Sequence, residues 1–184
     1  LPDFYDRKIL YNLVDKKLIE AGYKRTGYES YALPGDPIEK AYNDKKTLYA
    51  SLGSQKGDAT NFVAVGSSAH GSLADDYYSQ NYYEQNLYRN ALDENKFPIY
   101  RGIKLSDNDK IRRDVVKTLR TYFEIDFNKF EEKYKINFKD YFKDSFENLQ
   151  EHSKDELVII DKTKIKITEL GNQFAPVICH AFDD

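Results

Sequence analysis

The spacing of apolar positions divides the 184-residue chain into a mixed first part and a more helical second part. Over Asp6 to Ala21, Ile9, Leu10, Leu13, Val14, Leu18 and Ile19 recur at three and four residues, which predicts a helix that Gly22 stops. Tyr23 to Ala32 reads as extended until Pro34-Gly35-Asp36-Pro37 breaks it. A helix and a short strand at this spacing are the unit of an α/β fold. Ile38 to Thr60 reads as polar and irregular, with a turn between Gly53 and Gly57. Asn61 to Val65 is a continuously apolar run, as expected of a parallel strand buried on both faces. It leads into Gly66-Ser67-Ser68-Ala69-His70-Gly71-Ser72. Small residues after a buried strand let a ligand approach the backbone at the sheet's carboxyl edge, although a plain tight turn has the same composition. Tyr77 to Glu94 reads as one amphipathic helix, with Tyr83, Leu87 and Ala91 four apart, ended by Phe97-Pro98. A domain boundary is expected near residues 95 to 105.

After the boundary the rhythm changes. Ser106 is a good N-cap, and Asp107 and Asp109 occupy the first turn, where the helix dipole favours negative charge. Ile111, Val115, Leu119 and Phe123 follow at four-residue spacing. A short segment is expected around Asn128 to Tyr134, then a helix over Phe138 to Gln150 carrying Phe138, Phe142, Phe146 and Leu149 in line. Leu157 to Ile160 and Ile165 to Thr168 flank Asp161-Lys162-Thr163-Lys164, which predicts a hairpin. A last helix is expected to begin near Thr168 or Glu169. Three helices, a hairpin and a helix make a winged-helix-like module.

Winged helices often bind DNA, but the charge does not support that here. The whole chain has a net charge of −3, and residues 101–184 carry 16 Lys+Arg against 17 Asp+Glu. A protein held to phosphates needs several cations on one face, so nucleic acid is not an expected partner. No apolar run approaches the roughly 18 residues of a membrane-spanning helix, and no membrane partner is expected. Sixteen Tyr and 11 Phe give far too much aromatic surface for a disordered segment. The chain has no Met, even at position 1, which points to a processed chain or a piece of a longer one, the piece being favoured.

Candidate chemistry is thin. His70 is the only histidine beside a glycine-rich strand end, while His152 and His180 lie elsewhere, so no protein-built zinc site is expected. Cys179 beside Val177 and Ile178 reads as a small core hydrophobe. Gln55 to Asp58 lacks the pattern of a phosphate loop. Arg112 and Arg113 have the chemistry to clamp a carboxylate, but pairing with Asp109 or Asp114 on a solvated face is the simpler expectation. No nucleophile–base pair stands out.

Several stretches, taken in order, resemble one family. Gly27-Tyr28-Glu29-Ser30-Tyr31-Ala32 resembles a strand that carries a Gly-Met-Asp-His-Phe-Ala type motif in oxygen-independent coproporphyrinogen III oxidases. The strand into Gly66-Ser67-Ser68-Ala69 and the Tyr77-Tyr78-Ser79-Gln80-Asn81 stretch continue the match. Its most specific part runs from Tyr100-Arg101-Gly102-Ile103-Lys104-Leu105-Ser106 through Ile111-Arg112-Arg113-Asp114-Val115-Val116-Lys117-Thr118-Leu119. The wing hairpin and the end near Cys179 to Asp183 also fit.

The resemblance implies a radical S-adenosylmethionine oxidoreductase of haem biosynthesis. Such an enzyme decarboxylates two propionates of coproporphyrinogen III oxidatively to vinyls, giving protoporphyrinogen IX. It also implies a [4Fe–4S] cluster on a C-x3-C-x2-C motif, S-adenosylmethionine as radical source, an electron donor, a tetrapyrrole substrate, a cytoplasmic setting and a monomeric parent. The cysteine motif is not in this chain, so the expectation is a C-terminal portion that holds no cofactor by itself and is inactive alone. The isolated piece is expected to self-associate or to rely on protected strand edges.

The expected fold class is α/β plus mainly α: the last strands of a radical (β/α) partial barrel over 1–75, a linking helix and connector over 76–105, and the winged-helix-like domain over 106–184. By resemblance, His70 contacts a second S-adenosylmethionine, with Gly66 and Ala69 at the same strand end. Tyr28-Glu29-Ser30-Tyr31 departs from the family's Met-Asp-His-Phe form, and a related radical protein that handles haem, as chaperone or haem-degrading enzyme, is the alternative.

Overall fold

The computed structural model describes residues 2–50, 53–56, 61–73 and 76–183. The chain divides into two compact units, residues 1–57 with 114–184, and residues 58–113. This division by compactness cuts across the three segments expected from the sequence.

In the larger unit, helix α1 (Phe4–Glu20) starts on Asp3, whose carboxylate accepts from the Asp6 amide at 2.9 Å. It stops at Gly22 (φ +87), the left-handed position that glycine adopts without strain. The apolar positions that predict the helix are open to solvent: Ile9, Leu10, Leu13 and Val14 are each about half exposed or more. The extended stretch after it forms two short antiparallel strands, β1 (Lys24–Arg25) and β2 (Tyr31–Ala32). The expected irregular segment contains helix α2 (Pro37–Asn43), with Pro37 in the first turn and Asp36 as cap. It also contains an antiparallel pair, β3 (Thr47–Ala50) with β4 (Gly53–Lys56). The turn expected to end at Gly57, and Asp58 of the segment from Gln55, lie outside the described residues. Glu39 on α2 accepts from Lys24 Nζ (3.0 Å), Asn43 Nδ2 (2.9 Å) and the Gly35 amide (3.3 Å). These bonds, the one from Lys24 foremost, hold its carboxyl below the usual range.

The smaller unit corrects two expectations. Asn61 to Val65 is not a buried parallel strand. It makes a single antiparallel bridge, Phe62 to Ser72, and Val63 and Val65 are about four-fifths exposed. All ladders among the described residues are antiparallel. Tyr77 to Glu94 is not one helix either. Strand β5 (His70–Leu73) pairs with β6 (Tyr77–Asn81), β6 pairs with β7 (Ile99–Lys104), and helix α3 (Gln85–Asp93) lies between β6 and β7 in sequence. Tyrosines suit a pleated strand as well as a helix, and hydrogen bonding on both edges of β6 decides in favour of the strand.

Helix α4 (Asp107–Tyr122) begins with a reciprocal cap. Ser106 Oγ accepts from the Asp109 amide at 3.1 Å, and Asp109 Oδ2 accepts from the Ser106 amide at 2.7 Å. It ends at Phe123, whose φ of +55 is uncommon for a bulky residue and turns the chain into β8 (Glu124–Asp126). Helices α5 (Phe127–Tyr134), α6 (Phe138–Tyr141) and α7 (Lys143–Lys154) follow, so the expected helix over 138–150 is broken at Phe142. The predicted hairpin is β9 (Val158–Ile160) with β10 (Lys164–Ile167), and β10 also pairs β8, giving the order β8-β10-β9. Asp161 Oδ1 accepts from the Thr163 and Lys164 amides and fixes the turn. The last helical segment starts slightly later than expected, as a 3-10 turn (Gly171–Phe174) that runs into α8 (Ala175–His180).

Phe138, fully buried, is the hub of this packing. Its ring stacks on Phe127 at 4.7 Å and lies 4.8 Å from Phe142 and 5.7 Å from Phe130. Phe142 in turn meets Phe182 edge-on at 5.3 Å. Gly171 is equally constrained, since a Cβ there would sit 2.1 Å from the Leu157 carbonyl oxygen.

Truncating Phe138 to Ala empties the centre of the aromatic cluster and is expected to cost about 3–5 kcal/mol in urea unfolding. Gly171→Ala would drive its methyl into the backbone carbonyl of Leu157 and is expected to cost about 3 kcal/mol or more in the same measurement. As pH falls through the depressed pKa of Glu39, its bonds are lost. The Gly35 and Asn43 resonances are then expected to move together in an NMR titration, at a pH below the ordinary glutamate midpoint of about 4.3.

Candidate functional site

The glycine-rich turn at the start of β5 is held from below by two side chains. Asn81, buried at the end of β6, donates through Nδ2 to the carbonyls of Gly66 (3.0 Å) and Ala64 (3.3 Å). The Gly66 amide donates to Tyr88 Oη of α3 at 3.0 Å. Backbone bonds from Asn81 to Ala69 (2.9 Å) and from Ser68 to Tyr82 (2.9 Å) complete the frame. Gly66 has φ +102, and a Cβ added to it would meet nothing within 4 Å, so the turn needs glycine for its backbone and presents open space there. Ala69 is half-buried beside it.

His70 follows as the first residue of β5, exposed, and paired in register with Gln80 of β6. Gln80 is paired with Arg101 of β7. Directly paired residues share a face of an antiparallel sheet, so the three side chains form one row across three strands. One pair further along, Tyr78 and Ile103 lie on the same face. Arg101 Nε donates to Gln80 Oε1 at 2.9 Å. These residues, with Ser79 and Gly102, line a groove of about 330 Å³. The structure therefore places Gly66, Ala69 and His70 along one short stretch of backbone, and adds Arg101, Gln80 and the supporting Asn81 and Tyr88, which sequence reasoning missed. Neither Tyr77 to Asn81 nor Ile99 to Lys104 alternates apolar and polar residues, so no local pattern marks them; strand pairing alone brings Gln80 and Arg101 beside His70.

The resemblance strand gives a second polar cluster. Arg25 Nη1 donates to Tyr11 Oη at 2.7 Å, and its Nη2 pairs closely with Asp15. Tyr31 Oη donates to Asp15 Oδ1 at 2.6 Å. Burial, with the bond to Asp15, raises the Tyr31 phenol. Tyr28 is pushed up to about 12 by burial and by the neighbouring Glu29. Both phenols therefore stay protonated at neutral pH, and this cluster holds β1 and β2 to α1.

The remaining candidates do not come together. His152 is half-buried at the end of α7, and His180 is exposed with Nδ1 3.2 Å from Asp183 Oδ2. Arg112 Nε donates to Asn108 Oδ1 at 3.1 Å, one turn back on its own helix, and Asp114 binds Lys133 Nζ at 2.6 Å. Cys179 is buried, with its thiol raised by burial to about 12 and Sγ 3.9 Å from the Val116 carbonyl. No group of three or more His, Cys, Asp or Glu able to hold a metal ion occurs among the described residues. No helix there is long and apolar enough to cross a membrane.

Comparison with known proteins places the chain. A model of the HemN C-terminal domain matches residues 105–174. That stretch is a HemN C-terminal domain. It is similar to the oxygen-independent coproporphyrinogen III oxidases of Pseudomonas aeruginosa (32% identity over 91% of this chain) and Salmonella typhimurium (34% over 90%). It spans 36% of the length of each of these relatives. The solved coproporphyrinogen III oxidase HemN of Escherichia coli, a radical SAM enzyme, matches all of this chain with a TM-score of 0.89 and 30% identity. The match takes up 42% of that structure. The chain thus has the mixed fold of the C-terminal part of HemN, with the HemN C-terminal domain beginning at Leu105.

Replacing Asn81 by Ala leaves the carbonyls of Ala64 and Gly66 without their side-chain donor. The expected result is a loss of about 1–3 kcal/mol and faster exchange of the Gly66 and Ser68 amides, read by hydrogen exchange. Cys179 is expected to be inert to a thiol reagent in the native protein at pH 8 and to react fully once urea unfolds it.

Proposed function

We propose that this chain is the C-terminal portion of an oxygen-independent coproporphyrinogen III oxidase, whose whole form oxidatively decarboxylates two propionates of coproporphyrinogen III to vinyls in haem biosynthesis. The observation that carries this reading is the similarity along nearly the whole chain to proteins of that name, together with the match to the Escherichia coli radical SAM enzyme.

The residues present do not fit an iron–sulfur cluster. Such a cluster needs several thiolates together, and the one cysteine of this chain is buried with its thiol held protonated. In this reading the cluster belongs to the part of the parent outside this chain, and the chain by itself does not catalyse the reaction. The Gly66–His70 turn does fit a small polar ligand. Its glycine faces open space and its histidine is exposed at the groove. By the same resemblance, His70, Gly66 and Ala69 are proposed to hold a second S-adenosylmethionine, distinct from the one that supplies the radical at the cluster. Asn81 and Tyr88 keep that turn in place. The partners are then a tetrapyrrole, S-adenosylmethionine and an electron donor, in the cytoplasm, with a monomeric parent.

The departure at Tyr28-Glu29-Ser30-Tyr31 keeps a haem-handling relative as the second reading. The test is to reconstitute the full-length parent anaerobically with iron and sulfide, supply reductant, S-adenosylmethionine and coproporphyrinogen III, and weigh the tetrapyrrole. Loss of two carboxyl groups as carbon dioxide is expected from the parent, and no change from the 184-residue chain alone. An unaltered tetrapyrrole beside an intact cluster would overturn the oxidase reading in favour of a haem-handling protein.

A further inference from the structure

We propose that the open face of the β5–β6–β7 sheet is a carboxylate-binding groove in which Arg101 is the anion-holding group and Gln80 its positioning residue. The groove is lined by one arginine, one histidine, one glutamine and one tyrosine, with Ile103 as the apolar wall, and by no carboxylate among the described residues. An exposed arginine usually finds an acidic neighbour; here Arg101 is tied through Nε to Gln80 Oε1 at 2.9 Å, with its guanidinium carbon 6.0 Å from the centre of the Tyr100 ring. That bond leaves the Nη edge of the guanidinium, whose paired donors match the two oxygens of a carboxylate. His70 stands at the far end of the same row, two strands away and in register, and offers a further donor. Tyr78 and Ile103 form the next row and provide a flat, partly apolar floor for the carbon body behind the acid. The opposite face is closed at this level: a Cβ on Gly71 would meet Ser79 Oγ at 2.7 Å and the Phe62 carbonyl at 3.1 Å.

The chemistry recognised is a carboxylate on an organic body. In the protein it has two sources, a propionate of the tetrapyrrole or the amino-acid end of S-adenosylmethionine. Naming either source rests on the function proposed above, whereas the groove's preference for a carboxylate does not.

The 184-residue chain is titrated with sodium propionate, coproporphyrin III, coproporphyrin III tetramethyl ester, S-adenosylmethionine and its decarboxylated form, while the Arg101 Nε–H and His70 ring signals are followed by NMR. Propionate is expected to shift both signals, and Arg101→Ala to weaken acid binding about tenfold or more, with partial recovery in Arg101→Lys. Gln80→Leu, which frees the Nε, is expected to weaken binding without moving the rest of the spectrum. Saturable binding of coproporphyrin but not of its ester assigns the groove to the tetrapyrrole. Saturable binding of S-adenosylmethionine but not of the decarboxylated form assigns it to that cofactor. A response to propionate with none to the larger acids upholds the groove and overturns both named sources for its carboxylate. If no acid moves the two signals, or Arg101→Ala binds as well as the native chain, the groove is overturned, and decarboxylation by the full-length parent would then stand without it.

Discussion

Strand β6 has neighbours on both edges, and its backbone donors and acceptors must be satisfied by β5 on one side and β7 on the other. That requirement fixes the register to the residue. Because side chains alternate along a strand, a slip of one position would turn His70, Gln80 and Arg101 to opposite faces and dissolve the groove. The register shift at Gln80 and Asn81 occurs just past the row, where Asn81 is turned inward. There its amide ties down the carbonyls of Ala64 and Gly66. One strand thus orders both the turn carrying Gly66 and Ala69 and the row carrying His70.

The larger unit depends on a different interaction. Phe138 is packed against Phe127, Phe130 and Phe142, so that α5, α6 and the start of α7 share a single aromatic centre, extended to the C-terminal end by Phe182. Aromatic side chains dominate such packing because each buries a large apolar area and tolerates stacked or edge-on neighbours. The sheet β8-β10-β9 contributes Ile125, Val158, Ile165 and Ile167 to the buried core of this unit. Lys164 and Glu124 pair across adjacent strands of this sheet, both partly open to solvent, at little energetic consequence.

The stretch that matches the HemN C-terminal domain begins at Leu105, next to the Ser106 cap that the sequence makes visible. Helix α1 carries an apolar stripe that the described residues leave exposed, although the chain spans little more than a third of its relatives' length. The polar cluster of Tyr11, Asp15, Arg25 and Tyr31 holds the β1–β2 pair to that helix through hydrogen bonds. Tyr28 and Tyr31 are engaged in packing and hydrogen bonding with their phenols protonated.

What the sequence determined by itself was whatever local chemistry decides. Asp3 and Gly22 bracket α1, Ser106 with Asp109 starts α4, and Asp161 closes the β9–β10 turn. Four-residue spacing also picked out Val115, Leu119, Phe138 and Phe142 as core, and all are buried. Tertiary structure decided the rest. Asn61 to Val65 is apolar enough for a buried strand, yet only one bridge receives it and its valines face solvent. Tyr77 to Asn81 fits a helix by spacing, yet two neighbouring strands supply hydrogen bonds that a helix end there would lack. β8 and the break at Phe142 carry no local signal, because one is set by pairing with β10 and the other by the aromatic centre. His70 was legible as an isolated residue beside a glycine turn. Its partners Gln80 and Arg101 were not, because 10 and 31 positions along the chain separate them from it and only strand register brings them into one row.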